Sequence, residues 1–176
     1  MRLGWLSDIH LNFLSPAALG SFFYDLAEHD VDAWLVGGDI GEANSLFGYL
    51  DAFARLPVHT YFVLGNHDYY RGSIGRIRVA KALVDPGPNL TWLTDAECIE
   101  LSADTALVGD DGWADGRIGN ALTTPIELND FYLIRELSGL ERAELVRHYR
   151  PLGMRRRSVC SRSLRRPQTV ISRCWS

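Results

Sequence analysis

Residues 58–68 read Val58-His59-Thr60-Tyr61-Phe62-Val63-Leu64-Gly65-Asn66-His67-Asp68. Seven residues rich in β-branched and aromatic side chains predict a strand over Val58–Leu64, and Gly65 ends it. Three polar residues follow at once: Asn66 offers an amide oxygen, His67 an imidazole and Asp68 a carboxylate. Two earlier strands stop in the same manner. Leu3–Ser7 runs into Asp8-Ile9-His10, where a carboxylate and an imidazole two positions apart project to one side of an extended chain. Ala33–Val36 runs into Gly37-Gly38-Asp39, where glycine permits close backbone approach and the carboxylate has two oxygens able to bridge two cations.

Between these strands the apolar spacing turns helical. Ser15 followed by Pro16 is a helix start, and Leu19, Phe22, Phe23 and Leu26 recur at helical intervals as far as His29. Leu46, Leu50 and Phe53 mark a second helix, and a third is predicted over Ser73–Val84, stopped by Pro86-Gly87-Pro88. Strands alternating with helices define an α/β fold with a largely parallel sheet. Open sheets of this kind collect ligands at the carboxyl ends of their strands, so three motifs far apart in sequence are expected to meet in space. Further on, Leu90–Leu93, Cys98–Leu101 and Thr105–Val108 read as short strands, arranged as a meander. Residues 110–120 read as a Gly- and Asp-rich loop, and Glu127–Arg150 as largely helical with a break near Gly139.

Singly, Asp8, Asp39 and Asp68 read equally well as turn or cap residues, and His10 and His67 as plain loop histidines. The ordered set is what points to a metal site. Oxygen and imidazole donors without thiolate suit Mn, Fe, Zn or Co. His29 and His59 read as structural, while Tyr69, Tyr70 and Arg71 are candidates to border a substrate pocket.

D-x-H, then G-D, then G-N-H-D, with the later loop Gly112-Trp113-Ala114-Asp115-Gly116-Arg117, resembles the calcineurin-like metallophosphoesterase family over roughly residues 1–135. The resemblance implies an αββα sandwich and hydrolysis of phosphate mono- or diesters at two divalent cations. It assigns Asp8, His10, Asp39 and Asn66 as metal ligands. It makes His67 the residue that contacts the phosphate and protonates the leaving oxygen, with Asp68 fixing its orientation. The family's further metal-binding histidine and its G-H-x-H element have no counterpart here; His148 lies in a helical pattern. The expectation is therefore a truncated chain in which the first sheet is complete, the second sheet partial and the second metal short of ligands, so that catalysis is impaired. A catalytically inactive scaffold is the alternative.

Composition sets the remaining bounds. At 176 residues and 47% hydrophobic content the chain fits one domain. Residues 1–153 carry 11 Lys and Arg against 22 Asp and Glu, whereas residues 154–176 carry seven Arg and no acid. The acidic body disfavours nucleic acid as a partner, except through the basic tail, which is expected to be disordered or aberrant. Three widely spaced cysteines suggest neither a disulfide framework nor a metal clip. With no long apolar run and no signal-like start, the expected location is cytoplasmic, without membrane attachment. The partly built second sheet leaves exposed edges that favour self-association.

Overall fold

The computed structural model describes residues 1–83, 87–96, 98–153 and 169–171. Its first sheet has four parallel strands in the order β1 (Leu3–Leu6), β2 (Ala33–Val36), β3 (His59–Phe62) and β4 (Leu90–Trp92). The register sets Trp5 beside Leu35, Leu35 beside Tyr61, and Phe62 beside Trp92. Three helices link these strands: α1 (Pro16–Glu28), α2 (Leu46–Ala54) and α3 (Ile74–Leu83). The start of α1 is as expected, with Ser15 Oγ accepting the Ala18 amide and Pro16 at the first helical position.

Side chains alternate across the sheet, and both faces are covered. Trp34, Val36, Phe62, Leu64, Leu90 and Trp92 pack with Leu26, Leu46, Phe53 and Ile77 of the helices in the main core. Phe53 is fully buried, a burial that stabilises by about 2 kcal/mol. The intervening residues Leu35 and Val63 face the other way, against Leu107, with Leu93 in the same cluster. Leu107 belongs to a second, smaller sheet in which β5 (Ile99–Ser102) and β6 (Thr105–Leu107) pair antiparallel, and β7 (Thr169–Ile171) adds to β6 in parallel. Helices, parallel sheet and small sheet thus form the layers of a metallophosphoesterase fold.

Leu90–Trp92 corrects one expectation. It does not join the next two strands in a meander but extends the parallel sheet beside β3. A three-residue apolar strand carries no record of its partner, and here the α3 connection returns it to the first sheet. Residues 127–150 also divide more sharply than their spacing suggests, into α4 (Asp130–Leu133) and α5 (Arg142–Gly153), with Gly139 at φ 75° in the connection. Of the basic tail, all but residues 169–171 lies outside the described residues.

Candidate metal centre at three strand ends

After β1 and β2 the chain does not diverge; the two loops run on side by side. The Asp8 amide donates to Gly38 O (3.1 Å), that of His10 to Asp39 O (2.9 Å) and that of Leu11 to Ile40 O (2.8 Å). Asp8, His10 and Asp39 all take positive φ, at 54°, 42° and 51°. That conformation is uncommon for side-chain-bearing residues, and such strain concentrates at functional sites.

The third loop packs onto the second almost backbone to backbone. A Cβ at Gly65 would lie 2.1 Å from Asp39 Oδ1, and one at Gly38, itself at φ 94°, would lie 2.5 Å from Gly65 N. Both glycines are needed for this approach. It allows Asp39 Oδ1 to accept the His67 amide at 3.0 Å. As a result, ligand atoms of His10, Asp39 and His67 all lie within 4.8 Å of one another. The two imidazoles meet edge to face at 4.8 Å between centroids, and Tyr70 stacks on His67 at 4.3 Å. Burial pushes the Asp39 carboxyl up, opposed by the His67 amide and by the two imidazoles. Two imidazole nitrogens and a partly desolvated carboxylate are a donor set that fits a divalent cation.

The other expected residues stand close by with different contacts. Asp8 is exposed, takes a hydrogen bond from Ser7 Oγ and lies outside the 4.8 Å group, though its charge reaches Asp39. Asn66 donates from Nδ2 to Asp130 Oδ1 (2.7 Å) and to the Tyr70 hydroxyl (3.1 Å). Asp68 is fully buried, and among the described residues its carboxylate bonds to backbone amides rather than to the His67 ring. Oδ1 accepts from Ile40 (2.8 Å) and Gly41 (2.9 Å), and Oδ2 from Gly65 (2.9 Å). Burial outweighs these bonds and pushes its pKa up to about 7. Asp68 therefore ties the second loop to the third, and the His67 ring is held by Tyr70 and His10. His148 is exposed on α5, with Nδ1 on Glu144 O.

Two carboxylates that organise this end of the sheet were not singled out in the sequence. Asp130, at the start of a four-residue helix, reads as a cap, and nothing local announces that it reaches Asn66. Asp111 sits in the Gly- and Asp-rich loop, yet its buried carboxylate accepts the Leu64 amide (2.7 Å), Trp92 Nε1 (2.8 Å), Thr94 Oγ1 (2.8 Å) and the Tyr69 hydroxyl (2.8 Å). It pins the end of β3 just before Gly65.

An α/β sandwich with a histidine–carboxylate cluster at its strand ends defines a candidate metallohydrolase. The family model for calcineurin-like phosphoesterases matches residues 1–159, and the chain belongs to that family. Comparison with curated proteins and with solved structures gave no match. No helix among the described residues is long and apolar enough to cross a membrane.

Proposed function

We propose that the chain is a metal-dependent phosphoesterase acting on phosphate mono- or diesters. The observation that carries this reading is the meeting of His10, Asp39 and His67, from three successive strand ends, within 4.8 Å. His10 and Asp39, together with Asp8 and Asn66, would hold a divalent cation such as Mn²⁺. Such a cation supplies polarisation of the phosphoryl oxygens and activation of the attacking water. His67 would face the phosphate and give a proton to the leaving oxygen. The ester P–O bond breaks, the water oxygen ends on phosphorus, and the alcohol departs with the proton from His67. Asp68 contributes through the backbone, by holding the His67–Tyr69 turn against the Asp39 loop.

Hydrolysis of p-nitrophenyl phosphate by the purified chain with added Mn²⁺ tests this, with Asp39→Ala and His67→Ala as controls. The expected result is metal-dependent turnover that both substitutions abolish. Bound metal without turnover in the wild-type chain would instead favour the inactive scaffold.

A further inference from the structure

A cavity of about 370 Å³ has Asp130, which is hydrogen-bonded to Asn66 and Tyr70 next to the cluster, as one of its walls. The Asp130 oxygen that accepts Asn66 and Tyr70 thus belongs to a residue that also lines the cavity. We propose that this cavity binds the organic group of the phosphate ester, and that the group is a planar aromatic ring system. This deepens the phosphoesterase reading above and rests on it.

Size, lining and rim agree on the occupant. A volume of about 370 Å³ falls among small-molecule sites. An apolar cavity of about 150 Å³ already takes up benzene, so two fused rings have room here. The walls include Trp113, Phe131 and Tyr149, and the last two lie nearly parallel, 13° apart with centroids at 6.3 Å. Flat apolar walls of this kind favour a flat apolar guest.

Among the described residues the one lining cation is already engaged: the Arg142 guanidinium donates to Glu127 (2.7 Å) and to Ile126 O (3.2 Å) and lies over the Phe131 ring. Nothing there calls for a second anionic group on the ligand. Trp113 Nε1 is buried without a partner among the described residues, which leaves an N–H for a polar ring substituent. At the rim, Ile118, Ile126 and Leu128 stand 95%, 64% and 44% exposed. Three large aliphatic side chains on one loop around an apolar opening form a surface that an aromatic guest would cover.

The test uses the full chain with Mn²⁺ in two arms. Hydrolysis of 1-naphthyl phosphate is compared with that of methyl phosphate, and binding of the non-hydrolysable 1-naphthylphosphonate is compared by calorimetry with that of methylphosphonate. Each arm is run on wild type and on Ile118→Ser/Ile126→Ser, whose exposed positions spare the core, with folding checked by circular dichroism. The naphthyl compounds are expected to show KM and Kd lower by at least about tenfold, with both ratios falling towards one in the variant. Equal binding of the two phosphonates, or a preference that survives in the folded variant, overturns the pocket. If neither ester turns over but the naphthyl preference and its loss in the variant persist in calorimetry, the pocket stands and the phosphoesterase reading falls. If both esters turn over with equal KM, the pocket falls and that reading stands.

Discussion

Asp130 Oδ1 accepts two hydrogen bonds at 2.7 Å, one from Asn66 Nδ2 and one from the Tyr70 hydroxyl. The first fixes which way the Asn66 amide faces, and the second holds the phenol whose ring stacks on His67. Replacing Asp130 by Ala frees the amide to flip and loosens both contacts. Asp130→Ala is expected to lower Mn²⁺ affinity by about tenfold, with a loss of stability under about 1.5 kcal/mol since the site is only half-buried. Calorimetric titration with Mn²⁺, alongside urea denaturation, separates the two effects. Asp130→Asn, which keeps one acceptor oxygen, should recover part of the affinity.

Gly65 gives a second handle. A single methyl there collides with the Asp39 carboxylate, so Gly65→Ala must displace either that carboxylate or the third loop. The variant should fold, because the clash involves loop ends rather than the core, and should lose cation binding by more than about tenfold. A Gly65→Ala chain that binds Mn²⁺ like wild type would remove the argument for close loop packing.

Asp111 serves stability first. Its carboxylate is buried and answers four donors, each left unsatisfied if it is removed. Asp111→Ala is expected to cost about 3 kcal/mol or more, read as a lower urea midpoint at unchanged slope.

Much of this end of the sheet is legible in sequence because its chemistry is local. Apolar runs that stop at Gly or at paired polar residues place Asp8, His10, Asp39, Asn66, His67 and Asp68 at strand ends, and Ser15-Pro16 announces α1. Asp130 and Asp111 are not legible for the opposite reason. Their partners lie 64 and up to 47 positions away, and a lone acid in a loop looks the same whether it faces solvent or a buried amide. The contacts of Asp68 show the same limit: the resemblance implies that it orients His67, whereas among the described residues its carboxylate is buried against the Ile40, Gly41 and Gly65 amides.

Glu136 caps α3 from a distance, accepting from Ser73 Oγ and from the Ile74 and Gly75 amides. Burial works against its ionisation, but those three donors and its own backbone amide outweigh it and hold the carboxyl below its ordinary value. A depressed folded pKa means that the stabilisation is present above the unfolded value of about 4.5 and is lost as pH falls through the lower folded one. Glu136→Gln is expected to cost about 1 kcal/mol at neutral pH, a modest figure because the partly exposed carboxylate is screened. Thermal melts of the two proteins should converge as the pH is lowered below the unfolded value of about 4.5 and through the lower folded one.

The central claim is that His10 and Asp39 hold a divalent cation with His67 beside it, and metal retention tests it most directly. Wild type, His10→Ala and Asp39→Ala are dialysed against Mn²⁺, and bound metal is counted by elemental analysis on samples shown to be folded. The account predicts at least one tightly held ion per wild-type chain and none in either variant. A wild-type chain that retains no metal, or variants that retain as much as wild type, would contradict it.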